Sequence, residues 1–234
     1  MNTKSPTLSL RCLGEIAIFS RPEFKGERMS YPVPTPSAMR GVIEAVFWKP
    51  EIVWRIERIK ILNPIRWRAF RRNEVSLKAS PPAAAVIKSG GEAPVLFADE
   101  SQNRAQRNTV ALRDVDYVVE AHCELTPKAA PGETIIKYVE MFRRRLEKGQ
   151  HFTQPYLGCR ECVADVSPVE GTPAPIDETR DLGIMLWDIA FGQERGKPAN
   201  IPIFFHARME HGVIEVPQSA EAARASLLAL TQST

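Results

Sequence analysis

Between Tyr31 and Val75 the hydrophobic period changes once, and that change constrains the first half of the chain more than anything else in it. Pro22, Gly26, Pro32, Pro34 and Pro36 make residues 20–36 a loop or an edge-strand excursion. Thr35 or Ser37 can then cap a helix over 37–48, whose Met39, Val42, Ile43 and Val46 follow i, i+3, i+4, i+7. Pro50 ends it. From Glu51 to Leu62 the period drops to two, with Ile52, Trp54 and Ile56 set against Val53, Arg55 and Glu57. That predicts a long strand.

The rest of the chain extends this pattern. Leu8–Phe19 reads as a strand with a break at Gly14, and Arg66–Val75 as a strand or hairpin arm. Residues 79–108, rich in Ala, Pro, Gly and Ser, read as an insertion that is partly flexible. Val110–Glu124 is a further strand, and Glu133–Lys148 a helix with Ile135, Val139, Phe142 and Leu146 on one side. Arg160–Val169 is read as a strand. The order predicts the α+β class: a ferredoxin-like (RRM-like) βαββαβ domain over 1–170, with the insertion at 79–108. After a linker at 171–180, three short β segments and a helix over Ser219–Leu230 make 171–234 a small C-terminal β-rich extension with a terminal helix.

Charge separates the two parts. Residues 1–164 carry 26 basic and 18 acidic side chains, and 165–234 carry 5 and 10. The excess concentrates in 40–78, with 10 basic against 4 acidic. A concentrated basic patch is what binding a phosphate backbone needs. No run of 18 apolar residues is present, so no membrane partner is expected. The opening MNTKSPTLSL lacks the apolar core of a signal peptide. The chain is thus expected in the cytoplasm, where its four cysteines are read as free thiols.

Three groups of residues could carry chemistry. Arg66, Arg68, Arg71 and Arg72 interleave with Trp67 and Phe70; guanidinium groups bind phosphates and rings stack on bases. On the helix over 133–148, Lys137, Arg144 and Lys148 lie away from the apolar stripe, with Tyr138 and Arg145 on one flank. Lys137 sits in the first turn, where it opposes the helix dipole and gains little for stability, so another role is open to it. Cys159-Arg-Glu-Cys162 has no second pair at zinc spacing, and His122, alternating with Glu120 and Glu124, reads as an exposed polar face. No metal or cofactor is expected. P-loop, GxGxxG, GxSxG and HExxH motifs are all absent.

The order of these parts, with GVIEAVFWKP (Gly41–Pro50), the NPI step (Asn63–Ile65) and LGCREC (Leu157–Cys162), resembles one family. It is the pre-crRNA endoribonuclease of subtype I-C CRISPR systems, the d branch of the fifth Cas family. The resemblance covers most of residues 7–170 and weakens around 79–108 and beyond 171. It implies metal-independent cleavage of CRISPR repeat RNA at the base of its stem-loop, by attack of the RNA's own 2′-OH. It also implies retention of the 5′ handle and assembly with other subunits of a type I-C Cascade. The family's tyrosine, lysine and histidine positions fall on Phe47, Lys137 and Tyr138. Phe47 is inert, Lys137 suits stabilisation of the phosphorane, and Tyr138 can act as an acid or hydrogen-bond donor. The general base is unassigned, with Tyr31 a substitute. RNA contacts are expected of Arg40, Arg66, Trp67, Arg68, Arg71, Arg72, Arg144, Arg145 and Lys148, and of Gly158 and Arg160 in the loop after the second helix. The alternative is a non-catalytic subunit that binds the crRNA handle. Duplex DNA remains open as a further ligand of the basic patch, and the isolated chain is expected to be a monomer.

Overall fold

The computed structural model describes residues 3–24, 26–76, 86, 88–91, 97–194 and 197–232. Helix α1 (Pro36–Val46) starts where its text directs. Pro36 takes a first-turn position that needs no backbone N–H, and Thr35 Oγ1 accepts from Ala38 N at 3.2 Å. Phe47 ends it in an extended conformation, φ −152° and ψ 117°, three residues before Pro50. The buried stripe Met39, Val42, Ile43 and Val46 faces inward.

Strand β3 (Ile52–Ile61) follows, and its parity needs a device. Ile52, Trp54 and Ile56 are buried, and so are Ile59 and Ile61. Strict alternation would send one of these sets outward. The pairing with β5 (Arg104–Leu125) resolves this: Ile56 meets Ala121 and Arg58 meets Glu120, leaving Glu57 as the extra residue of a β-bulge.

β5, at 22 residues, is the spine. β1 (Leu8–Ala17) pairs along one edge and β3 along the other. The N-terminal half of β5 pairs with β4 (Trp67–Val75), from Leu112 to Arg104, and with the short β2 (Arg28–Met29). Asp114 separates the halves with φ 52°, a left-handed conformation that aspartate tolerates. Helix α2 (Ile135–Glu147) packs beside α1, with the Phe142 ring centroid 4.9 Å from that of Trp54. β6 (Asp165–Ser167) adds to β1. The long hairpin β7 (Arg180–Glu194) and β8 (Lys197–Glu210) is joined by β9 (Val213–Glu215), and α3 (Ala220–Gln232) lies on β8. β9 pairs with β3, so the order β6-β1-β5-β3-β9-β8-β7 is one continuous sheet.

This corrects the expected fold class. Among the described residues the molecule is a mostly antiparallel nine-stranded sheet curled into a half-barrel, with three helices, and not a ferredoxin-like (RRM-like) βαββαβ domain with a small extension. Alternation reveals which face of a strand is buried but not which strand lies beside it. The C-terminal strands complete the free edge of β3, and β5 runs on past Val110 to carry β4. Residues 104–108 of the expected insertion are therefore strand, whereas 79–85, 87 and 92–96 lie outside the described residues. The strand expected over Arg160–Val169 contracts to Asp165–Ser167, because a turn at Cys159–Cys162 precedes it. Among the described residues no helix is long and apolar enough to cross a membrane.

Candidate functional site

The entrance to α2 gathers the first group. Thr134, at the N-cap, makes no side-chain capping bond. The preceding Glu133 does the work instead: its carboxylate accepts from Ala130 N at 3.3 Å, from Lys137 Nζ at 2.6 Å and from Tyr138 OH at 2.6 Å. The bond from Lys137, then that from Tyr138, draws the Glu133 carboxyl down to about 2. Burial, then donation to that carboxylate, pushes the Tyr138 phenol well above its usual value. Tyr138 is buried, and its ring meets that of Phe47 at 6.5 Å. Lys137 Nζ lies 5.3 Å from the Tyr138 ring, and the Arg145 guanidinium 5.3 Å from the Phe47 ring. Arg145 Nη1 also donates to Val46 O at 3.1 Å.

The result is a layer in the order Lys137, Tyr138, Phe47, Arg145, which brings the three expected catalytic positions together. Their roles differ. Phe47 is fully buried and has no proton to give. The Tyr138 phenol is committed to Glu133 and holds its proton at neutral pH. Lys137, with a side chain 55% exposed, is the member of the trio that presents charge to solvent, beside a helix N-terminus that itself favours anions. Tyr31, the substitute base, is buried in the core under the Arg21 guanidinium at 4.9 Å, and burial raises its phenol.

The second group is the arm made by β4 and β5. Pleating splits the basic run. Trp67 and Arg71 share one face and are exposed; Arg66 is exposed just before the strand. On the other face Arg72 lies 5.6 Å from the Phe70 ring and donates to Glu161 at 2.7 Å. Glu74 is held there by Arg28 at 3.1 Å and Arg107 at 3.2 Å. Arg68 reaches Glu15 at 3.6 Å and stays half exposed, and Arg71 donates to Asn108 at 3.2 Å.

Glu161 belongs to LGCREC, so that loop is docked on the arm. Its Gly158 has φ 85°, and a Cβ there would stand 1.9 Å from Ile18 O. Only glycine allows the backbone approach in which Ile18 N donates to Leu157 O at 3.0 Å. Cys162 N donates to Cys159 O at 2.9 Å, so CxxC is a tight turn with Arg160 exposed at its tip. All four cysteines are free, and among the described residues no group of three His, Cys, Asp or Glu could hold a metal.

A model of the CRISPR-associated Cas5d family matches residues 7–217. The chain belongs to the Cas5d family. A CRISPR pre-crRNA endoribonuclease Cas5d from Mannheimia succiniciproducens is 42% identical over 217 residues, covering 90% of this chain and 94% of its own. The Thermus thermophilus protein of the same name is 42% identical over 224 residues, covering 90% and 91%. A functionally uncharacterized protein from Streptococcus mutans shares the fold, with a TM-score of 0.65 at 22% identity over 93% of this chain and 95% of that one. The Cas5d match runs well past residue 171, so the β7–β9 segment belongs to the family pattern too.

Other expected residues are placed elsewhere. Arg40 does not join the α2 entrance: it donates to both carboxylate oxygens of Asp188 on β7, with Nη2 to Oδ1 at 2.9 Å, and approaches Glu44 at 3.6 Å. Arg144 and Lys148 are exposed on α2. His122 is not on an exposed face but buried, with Nδ1 2.7 Å from Glu57 and Nε2 3.2 Å from Glu124. Glu133 and Glu161 were missed by sequence reasoning. Glu133 had a usable signal, an acid four residues before Lys137; Glu161 had none, because its partners come from β2 and β4.

Proposed function

We propose that this member of the Cas5d family is a pre-crRNA endoribonuclease that cuts CRISPR repeat RNA without a metal and keeps the 5′ handle within a type I-C Cascade. The observation that carries the reading is the 42% identity, over 90% of the chain, to two proteins bearing that name. The geometry supports a division of labour. Trp67, Arg68 and Arg71 on the arm, with Arg160 on the docked loop, hold RNA backbone and bases. Arg144 and Lys148 add phosphate contacts along α2. The RNA's own 2′-OH, held in line by these contacts, loses its proton to water and attacks the phosphate; the P–O5′ bond breaks, leaving a 2′,3′-cyclic phosphate and a 5′-oxygen that takes a proton from water, while the Lys137 ammonium takes the charge that develops on the phosphorane oxygens. Tyr138 and Phe47 form the floor under Lys137 and Arg145 its far end.

A second reading, a subunit that binds the handle without cutting, is favoured by the burial of Phe47 and by the commitment of the Tyr138 phenol to Glu133. A denaturing gel separates them. Protein is mixed with a subtype I-C repeat RNA in EDTA, beside the same RNA carrying a 2′-deoxy group at the cut, and beside Lys137→Ala. The nuclease gives one discrete cut, abolished by the deoxy substitution and slowed at least about tenfold in Lys137→Ala with binding intact. Full cleavage by that variant overturns the role of Lys137, and tight binding with no cut by the wild type establishes the handle-binding subunit. Duplex DNA serves as the competitor: affinity that falls steeply with salt and ignores sequence would mark binding through phosphates alone.

A further inference from the structure

We propose that the surface at the C-terminal end of α1, carried by Trp48 and Phe152, is a stacking platform for unpaired bases of the RNA; this rests on the RNA-binding reading above. Trp48 is 56% exposed and Phe152 is 84% exposed. Two large rings left in water at one place are informative when the fold has buried their neighbour Phe47 completely.

The backbone explains why they are there. Phe47 is extended, and successive side chains of an extended chain point to opposite sides. With Phe47 turned in against Tyr138, Trp48 is turned out. Phe152 arrives from the other direction. After α2 the chain doubles back, and Phe152 N and Thr153 N donate to Ala45 O at 2.8 Å and 3.5 Å. Ala45 carries one of the carbonyls that a helix end leaves without an intrahelical partner. The returning chain caps it and so fixes Phe152 beside Ala45 in the last turn of α1, and Ala45 lies three residues before Trp48. Phe152 therefore hangs from hydrogen-bonded backbone, and Trp48 directly follows Phe47, whose N donates to Ile43 O at 2.9 Å.

Charge selects the occupant. The cations at hand are Lys49, which follows Trp48, and Arg145, which donates to Val46 O; His151 precedes Phe152. His151 is exposed and lines a cleft with Val46, Gln154 and Asp165. The other three histidines each face a carboxylate: Glu57 and Glu124 for His122, Asp181 for His206, Asp177 for His211. The centre of a protein–protein interface is depleted in charge. Rings interleaved with cations are the pattern that serves a single strand, with bases on the rings and phosphates on the cations. Beneath the platform, Phe47, which precedes Trp48, is buried in the layer that runs from Arg145 through Tyr138 to Lys137.

The test is equilibrium binding of a repeat RNA made uncleavable by a 2′-deoxy group, using Trp48→Ala, Phe152→Ala and the double variant. Trp48→Phe and Phe152→Tyr, which keep a ring, run beside them. Each alanine is expected to weaken binding about tenfold, and each ring-preserving change less than about threefold. The slope of affinity against salt should stay unchanged, because no phosphate contact is removed. Both side chains are exposed, and unchanged thermal unfolding confirms that the variants are folded. A double variant that binds as tightly as wild type overturns the platform. So does a double variant that binds normally but no longer assembles with co-expressed Cascade subunits, which makes the surface a protein interface. Failure of the wild type itself to bind the repeat removes the RNA reading first, and the platform with it.

Discussion

Glu133 organises three donors with one carboxylate, and that makes it the residue whose titration is easiest to follow. Its carboxyl is held near 2 in the folded protein, below the roughly 4.3 of a free glutamate. A group depressed on folding contributes stability that is fully present above its unfolded value and is lost as pH falls through the folded one. The clasp on Lys137 and Tyr138 should therefore be intact at neutral pH and dissolve between about pH 4.3 and 2. Glu133→Gln is expected to unfold at a lower temperature than wild type at pH 7, with the gap narrowing through that window and closing below it. Midpoints of thermal unfolding measured from pH 7 to pH 2 check this, and a gap independent of pH would show that the carboxylate is not what matters. The same residue marks a limit of sequence reading. Lys137 stood out because it opposes the helix dipole, and its compensating partner was four residues upstream. The Tyr138 phenol was free to be an acid on paper, and only the fold commits it to Glu133.

At the level of elements, α1 was legible from its cap, stripe and terminating proline, and β3 from its alternation. What the text of β3 concealed was the parity change at Glu57. A reader of the sequence sees Ile56 and Ile59 on opposite faces, and only the register with β5 shows the bulge that reconciles them. Arg40 was expected among the RNA contacts that the resemblance implies. Its partner Asp188 is 148 residues away and could not be anticipated. The pair joins α1 to β7, and its side chains are 25% and 17% exposed, so water screens it only in part. Arg40→Ala and Asp188→Ala are each expected to cost about 1–2 kcal/mol, above an exposed ion pair and below a fully buried one. The double variant should cost less than their sum. Urea unfolding of the four proteins measures the coupling. Arg40→Ala should leave repeat affinity unchanged; a loss of affinity without a loss of stability would return Arg40 to the RNA-binding set.

Across the whole molecule, sequence reading found the segments but assigned the later ones to an extension, because nothing in the pattern of residues 182–216 says that they finish the sheet begun at Leu8. The charge gradient encouraged the same separation. The structure joins the parts through hydrogen bonds on the free edge of β3. Ile61 N donates to Gly212 O at 2.8 Å, Val216 N to Glu57 O at 2.9 Å, Ile176 N to Ile61 O at 2.9 Å and Gln218 Nε2 to Ile56 O at 2.9 Å. Arg58, Ile59 and Lys60 pair with Glu215, Ile214 and Val213. Removing everything after residue 170 would leave these groups without partners and uncover the apolar face that Ile214 and Val216 now close. At roughly 1 kcal/mol for each hydrogen bond, the edge alone is worth several kcal/mol, a large share of the 5–15 kcal/mol that keeps a domain folded. The exposed strand would also be a template for pairing with other chains. The 1–170 fragment is thus expected to aggregate, or to unfold without a cooperative transition, while the full chain unfolds in one step. Thermal unfolding and size-exclusion chromatography of the two proteins decide it. A monomeric fragment melting sharply near the midpoint of the full chain would mean that β9 is an addition to a finished sheet and not its last structural strand.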